Sequence, residues 1–242
     1  MRRILYTAII AAILTSCNNE VQEQTQPSPA AVTDLQRDGL HGPVKKLIHE
    51  EYNAIQKDGQ WLQGDSIMVR TEYEYDSTGT LLRAADIIVN GQQASTTREY
   101  KHTQGKPLTI LSYELAQLKS HGLRQWSDDY HYTEKTFFNF DKNDTANWQI
   151  LQQVTLNNNH LPEKFTSTLR ALAGDTTYVN TAWLYYNADN HISKKILYNG
   201  TDSVTINYTT IEKDDKGNPT KTLKHYPRRN EAILGIDSYE YY

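Results

Sequence analysis

The chain of 242 residues has a single cysteine, Cys17, and lacks long apolar or basic stretches. One thiol cannot form an internal disulfide, so a disulfide-stapled fold is excluded. Beyond the first 16 residues, no apolar run approaches the length of about 20 residues that a membrane-spanning helix requires. The formal net charge is −4 and basic residues form only isolated pairs at 45–46 and 228–229, which excludes nucleic acid as a partner.

Motifs for catalysis and for metal binding are also missing. The chain has neither the nucleophile elbow of hydrolases nor an acylating Ser-x-x-Lys motif. Asp128, Asp129 and His131 lie close in sequence, but a metal site needs ligands that converge from several fixed elements. The acidic turn at 214–218 lacks the distal glutamate of a calcium loop. We therefore predict a non-enzymatic protein without a metal or cofactor, with an enzyme of unrecognised type as the alternative.

The N-terminus has the pattern of an export signal. Arg2 and Arg3 precede an apolar run at 4–14 that is too short to span a bilayer. The run ends in a sequence that resembles the lipobox of bacterial lipoproteins, one apolar and two small residues before a cysteine: Leu14, Thr15, Ser16 and Cys17. The resemblance implies that residues 1–16 are a signal peptide, recognised at the three residues before the cysteine. It also implies that Cys17 carries lipid and anchors the chain to a membrane.

The remaining chain divides into a tether and one domain. Residues 17–38 comprise the lipidated cysteine and a stretch rich in Gln, Asn, Pro, Ser and Ala, which cannot bury enough apolar surface to order itself. We interpret this stretch as a disordered tether. Residue 18 is Asn rather than the Asp that retains many Gram-negative lipoproteins in the inner membrane, which favours the outer membrane. Residues 39–242 are predicted to form a single domain.

Alternating apolar and polar residues dominate this domain and indicate β-strands. Ile67 and Val69, for example, lie on one face of a period-two pattern. Turn signals such as Asn199-Gly200 separate the runs at intervals too short for crossover helices, so the strands must be antiparallel. The sequence predicts an all-β antiparallel meander of roughly 12–14 strands in an open curved sheet of successive hairpins. A closed up-and-down barrel is the alternative, and one short helix is predicted around 111–119.

One short unit recurs along the domain: an aromatic residue, a nearby Asp or Asn, a turn with Gly or Asn, and an apolar residue. Copies lie at 73–81, 99–108, 138–143, 184–192 and 211–219. The unit resembles the YD (tyrosine-aspartate) repeats of the Rhs type, and more closely the YD-like units of small lipoproteins of uncharacterised function. The resemblance covers residues 39–242 and implies successive hairpins. It implies no catalytic residue.

The sequence predicts binding rather than chemistry. Four aromatic residues lie on both faces of the strand predicted around 176–187: Tyr178, Trp183, Tyr185 and Tyr186. In an open sheet, one face of this strand would offer a flat aromatic platform, which is the predicted surface for a glycan or an envelope protein. Two alternatives remain open, a structural lipoprotein that assembles with an outer-membrane protein and a barrel that carries a lipid. A lipid carrier calls for a strictly apolar inner face, which the many Gln, Asn and Thr residues of the chain do not favour.

Four short Asp-Ser/Thr-apolar sequences resemble the O-glycosylation sequon of exported proteins in some Gram-negative bacteria. Their hydroxyl residues are Ser66, Thr145, Thr176 and Ser203. All four fall at predicted turns, where a hydroxyl group is accessible. The resemblance implies that the domain is glycosylated at these positions.

Overall fold

The computed structural model describes residues 32–88, 94–103, 108–138, 148–171 and 177–242, which form one short helix and fourteen strands. In chain order the elements are α1 (Asp34–Arg37), β1 (Val44–Lys57), β2 (Gln60–Tyr75), β3 (Leu81–Ile88), β4 (Ala94–Lys101), β5 (Leu108–Glu114), β6 (Gln117–Asp128), β7 (His131–Phe138), β8 (Trp148–Leu156), β9 (Pro162–Ala171), β10 (Thr177–Tyr186), β11 (Ile192–Tyr198), β12 (Ser203–Lys213), β13 (Pro219–Tyr226) and β14 (Glu231–Tyr241). Within this described part, no helix is long and apolar enough to cross a membrane.

The sheet closes on itself. Each strand pairs antiparallel with the next one along the chain, and β14 pairs with β1 from Val44↔Tyr241 to Asn53↔Ile233. The strands are antiparallel and locally connected, but the prediction of an open curved sheet is wrong, and the closed barrel given as its alternative is the architecture. Alternation and turn residues report on neighbouring strands only, whereas closure joins the two ends of the domain. Closure also removes two sheet edges whose backbone groups would otherwise lack partners.

A cysteine pair across the closing strands distinguishes a closed barrel from an open sheet. Ile48 of β1 and Ser238 of β14 lie directly opposite each other, which brings their Cβ atoms within reach of a disulfide. In a Cys17→Ser background, the Ile48→Cys, Ser238→Cys chain is expected to oxidise. The free energy of unfolding then rises by about 2 kcal/mol, because the cross-link restrains a long loop in the unfolded chain. Non-reducing electrophoresis and urea denaturation, with and without reductant, measure the two effects.

The matched control combines Ile48→Cys with Thr168→Cys, since Thr168 lies on β9, far around the barrel from β1. This control pair is expected to remain reduced within the monomer. A closing pair that stays reduced under the same oxidant would contradict the closed barrel.

Four turns at one end of the barrel share a hydrogen-bond pattern. In each, a side-chain oxygen accepts the backbone N–H groups two and four residues further on, and the accepting residues are Asp76, Asn157, Asn187 and Asp214. The fourth position of each turn has a positive φ, which glycine and asparagine adopt most readily: Gly79, His160, Asn190 and Gly217. The turns follow even-numbered strands, so the alternation of strand direction places them all at the same end.

Three of these turns belong to repeat units identified in the sequence, at 73–81, 184–192 and 211–219. The turn at 157–161 has the same geometry and is a further copy, although its sequence shows a run of Asn rather than an aromatic-Asp pair. The predicted units at 99–108 and 138–143 extend into residues outside the described ranges.

The short helix predicted around 111–119 is wrong. This segment is the hairpin of β5 and β6, in which Leu111 lies opposite His121. Leu115 and Ala116 both have positive φ and make the two-residue turn between the strands. The leucine spacing allows a helix, but backbone hydrogen bonds to β4 and β7 on either side favour the hairpin over an isolated helical turn.

An N-terminal cap, residues 33–43, crosses the end of the barrel that carries the four turns. It begins with α1, which has a capping box in which the Thr33 side chain accepts from the Gln36 backbone and Gln36 returns the bond. Leu35 is buried against Val44, Tyr75 and Leu81. The folded part thus includes residues that the sequence assigned to the tether.

Hydrogen bonds hold the cap to the turns. The Leu35 backbone N–H donates to Gly79 O at 3.0 Å, and the Asp34 carboxylate accepts from the Leu81 backbone at 2.9 Å. Further along, the His41 backbone N–H donates to Asn218 Oδ1 at 2.7 Å. Because these contacts lie on different sides of the rim, the cap closes this end of the barrel.

Candidate functional site

The strand registers separate an outer from an inner face, because directly opposite residues share a face. One outer row crosses four strands and is fully charged: Lys46, Glu74, Arg83 and Glu99. Ion pairs link Arg83 to Glu74 at 2.9 Å within this row, and Arg70 to Glu72 at 2.7 Å nearby. Charged residues in the middle of strands suit an outer face that contacts water.

The inner face encloses a cavity of about 400 Å³ at the capped end. The cap supplies its floor at Asp38, Gly39 and Leu40. Its wall is mainly aliphatic and aromatic: Leu47, Tyr73, Phe165, Leu184, Tyr208 and Tyr239. A cavity of this size and lining falls within the range of small-molecule sites, about 300–1,000 Å³.

A second cavity of about 570 Å³ shares Phe165 with the first and extends towards the opposite end of the barrel, at the turn 199–202. Its lining mixes polar and apolar side chains, including Gln152, Lys195 and Leu197. The two cavities together reach from the cap towards the uncapped end. The inner face is therefore apolar near the cap and more polar beyond it.

Four charged side chains meet on the inner face beside the first cavity. His49 Nδ1 lies 2.6 Å from Asp237 Oδ1, and its Nε2 lies 3.3 Å from Glu51 Oε1. Lys224 Nζ donates to the same Glu51 oxygen and lies 3.4 Å from His49 Nε2. All four side chains are about four-fifths buried, since none exposes more than 22% of its surface. We call this set the charged cluster.

The charged cluster fixes the protonation of its members. Burial lowers the pKa of His49, but its hydrogen bonds to Asp237 and Glu51 outweigh burial and raise that pKa to about 9. The hydrogen bond from His49 lowers the pKa of Glu51 most, and Lys224 adds to it against the effect of burial, so the pKa falls to about 2. At neutral pH the histidine is therefore a cation and the glutamate an anion.

The floor of the cavity holds a second buried acid. Tyr75 donates a hydrogen bond to Asp38 Oδ2 at 2.7 Å. Burial is the largest influence on Asp38 and raises its pKa to about 6, although the Tyr75 hydrogen bond acts in the opposite direction. The cap therefore places at the apolar end of the cavity an acid that takes up a proton only slightly below neutral pH.

The contacts of the charged cluster differ from those of a nucleophilic site, because its members pair with one another. A His–Asp pair can act as a general base when a hydroxyl or thiol faces the second ring nitrogen. In the described structure that nitrogen, His49 Nε2, faces Glu51 and the Lys224 ammonium instead. No group of three or more His, Cys, Asp or Glu residues among the described residues could hold a metal ion.

The structure does not bring the four predicted binding aromatics onto one surface. Trp183 lies on the outer face, opposite Lys164 and Ile196, and Tyr185 is exposed nearby with the Lys194 ammonium 4.2 Å from its ring centroid. Tyr186 lines the cavity and donates to Pro162 O at 2.6 Å. Tyr178, 57% exposed, lies near the uncapped end on the same face of β10 as the inner-facing residues Asn180 and Ala182. The flat aromatic platform required an open sheet, which closure rules out.

The remaining predicted sites are only partly described. Ser66 is exposed on β2, beside an irregularity in the pairing with β1. Ser203 is half-buried at the start of β12, and its backbone N–H donates to Asp202 Oδ1 at 2.7 Å. The others lie outside the described residues: Leu14, Thr15, Ser16, Cys17, Thr145 and Thr176.

Sequence reasoning missed every member of the charged cluster. Its members come from three strands, β1, β13 and β14, and no local motif joins them. One signal was available, in the segment 47–51. Every second residue of a strand shares a face, so the charged residues His49 and Glu51 fall on the same face as the apolar Leu47. That signal identifies a face only after the barrel is known to close.

Comparison with known proteins gives a fold likeness only. No family model and no curated protein matches the chain. A porin-like protein from Bacteroides vulgatus is 10% identical with a TM-score of 0.46, and the match covers 81% of this chain and 98% of that one. A porin-like protein from Bacteroides uniformis is 13% identical with a TM-score of 0.40 over 83% and 98%. At these TM-scores we draw no function from either, and the barrel assignment stands on the strand pairing.

Proposed function

We propose that the protein is a membrane-anchored envelope lipoprotein whose barrel holds a small amphipathic molecule without chemically altering it. The observation that carries the proposal is the inner cavity, which joins an apolar wall at the cap to the charged cluster beside it. An apolar body would bury its surface against the wall at about 25 cal/mol per Å², and a polar head would meet the charges.

The sorting of residues between the two faces supports this function. The Gln and Thr residues that disfavoured a lipid carrier from the sequence lie in large part on the outer face, as in the opposite pairs Gln153↔Thr166 and Leu151↔Thr168. Gln152 and Ser167 do line the inner face, so that face is not strictly apolar. This composition favours an amphiphile over a purely apolar lipid.

The cap favours a barrel that retains a ligand over a channel that is open at both ends. Residues 33–43 cross one end of the barrel and are hydrogen-bonded to its rim. A molecule in the cavity would therefore rest on Leu40 and enter from the uncapped end. Binding through a flat outer surface is the weaker hypothesis, because the closed sheet separates Trp183 and Tyr185 from Tyr186.

Filling the cavity is expected to abolish binding of an apolar probe. The uncharged dye N-phenyl-1-naphthylamine should bind the full chain saturably, with enhanced and blue-shifted fluorescence. Leu184→Trp adds bulk to the cavity wall and is expected to weaken this binding at least about tenfold, because overpacking a filled site costs about 1–3 kcal/mol. A fluorescence titration of each variant gives the affinities.

The control is Leu151→Trp, the same substitution on the outer face of β8, which is expected to bind the dye like the parent chain. Circular dichroism confirms that both variants are folded. The proposal fails if the parent shows no saturable binding, or if the two variants bind the dye equally well.

A further inference from the structure

We propose that Lys195, together with the charged cluster, forms a subsite for the carboxylate of a single-chain fatty acid. This inference rests on the proposed function, since it names the class of amphiphile and the place of its head group. It adds a residue that the charged cluster does not contain.

Lys195 lies on the inner face. It is directly opposite Leu184 on β10, which lines the first cavity, and opposite Ile206 on β12, which is buried. The side chain itself lines the second cavity. Lys195 therefore faces the second cavity at the level of a residue that lines the first.

Among the residues that the structure describes, none pairs with the Lys195 ammonium. Within the described part of the chain, it neither forms an ion pair nor donates a hydrogen bond. Burial is the main influence that lowers its pKa, Lys224 repels it further, and Glu51 offsets these effects in part. A half-buried ammonium without a counter-ion is costly, and an anionic ligand would relieve that cost.

The charge count favours one negative charge on the ligand. Lys195 and the charged cluster together carry three cations, His49, Lys195 and Lys224, against two carboxylates, Glu51 and Asp237. Three tyrosines that interact with this set, Tyr208, Tyr226 and Tyr239, are neutral at pH 7 because burial raises the pKa of each. One positive charge is left over, which matches a carboxylate and not a dianionic phosphate.

The shape of the space favours one acyl chain. From the charged cluster, the first cavity continues between Leu47, Phe165 and Leu184 to the cap at Leu40. A chain lying along this path would end on the closed floor, with its carboxylate beside Lys195 and Lys224. A head group at this level remains accessible from the uncapped end through the second cavity.

The experiment compares laurate with 1-dodecanol, which has the same chain without the charge. Isothermal titration of the full chain is expected to show tighter binding of laurate. Lys195→Met is expected to weaken laurate binding about tenfold and to leave 1-dodecanol binding unchanged, since one charge-assisted hydrogen bond is lost. Lys195→Arg, which keeps the charge, is expected to retain most of the laurate affinity.

The matched control is Lys194→Met. Lys194 is the neighbouring residue on the opposite face, where its ammonium lies over the Tyr185 ring, and its loss is expected to affect neither ligand. If both ligands bind the parent equally and Lys195→Met changes neither affinity, the head-group subsite is wrong while the proposed function stands. If neither laurate nor 1-dodecanol binds the parent chain, the fatty-acid subsite is wrong, and the dye titration decides separately whether the proposed function stands.

Discussion

Replacing Asn218 with alanine is expected to lower the free energy of unfolding by about 3 kcal/mol, because a fully buried side chain loses three hydrogen bonds. Asn218 has no exposed surface. Its Oδ1 accepts from the His41 backbone N–H at 2.7 Å, and its Nδ2 donates to His41 O and to the Tyr241 hydroxyl, both at 2.8 Å. One side chain thus joins the cap, the turn at 214–218 and strand β14.

Urea denaturation followed by tryptophan fluorescence measures this loss, and Asn207→Ala is the matched control. Asn207 is exposed in the middle of β12, so its substitution is expected to change the free energy of unfolding by less than about 0.5 kcal/mol. Equal destabilisation by the two substitutions would show that Asn218 does not hold the cap to the rim.

The second large effect is expected at the anchor. Cys17→Ser removes the sulfur to which lipid would be attached, so the chain should incorporate no labelled palmitate in a Gram-negative host, whereas the parent chain should be labelled. Loss of the lipid would also remove most of the free energy of membrane binding, because each buried acyl methylene contributes about 0.8 kcal/mol. Gel fluorescence after metabolic labelling with an alkyne-bearing palmitate measures incorporation.

Ser16→Ala is the control for the anchor, since it retains a small residue before the cysteine and should leave labelling intact. Equal labelling of the Cys17→Ser and parent chains would contradict lipidation at this residue. A parent chain that takes up no label would contradict the lipoprotein proposal as a whole, while leaving the cavity untouched.

The local parts of the fold could be predicted from the sequence. Alternation in segments such as 67–75 identifies strands, and Asp or Asn followed by Gly or Asn identifies turns, because both signals act within a few residues. Glu50 and Glu51 follow the same alternation: Glu50 accepts from Arg70 outside, whereas Glu51 accepts from Lys224 inside.

The global parts could not be predicted in the same way. Pairing of β1 with β14 joins the two ends of the domain, and no local pattern distinguishes a sheet with free edges from one whose edges meet. The polar surroundings of the short helix α1 favour a tether when only the sequence is considered. Leu35 alone provides its apolar contact, and that contact exists only because the barrel end lies beneath it.

The candidate site depends on closure for the same reason. His49, Lys224 and Asp237 lie on three strands, and their side chains meet only when β13, β14 and β1 are neighbours. The sequence instead favours aromatic residues within one strand, and the alternation of that strand distributes them between the outside and the inside of the barrel. The adjacent residues Lys194 and Lys195 look equivalent in the sequence. In the structure, Lys194 stacks on Tyr185 outside the barrel and Lys195 lines the second cavity inside it.

The pairing of β1 with β14 also sets an order of events for a chain that is delivered from its N-terminal side. Until residues 231–241 have been delivered, β1 offers an unsatisfied row of backbone donors and acceptors to any extended segment nearby. Pairing of β1 with β14 is then the last step of folding. A chain that stops before this step exposes the β1 edge, to which a strand of another copy can pair. Contacts between residues far apart in sequence form slowly, so we expect the pairing of β1 with β14 to limit the rate at which the barrel folds.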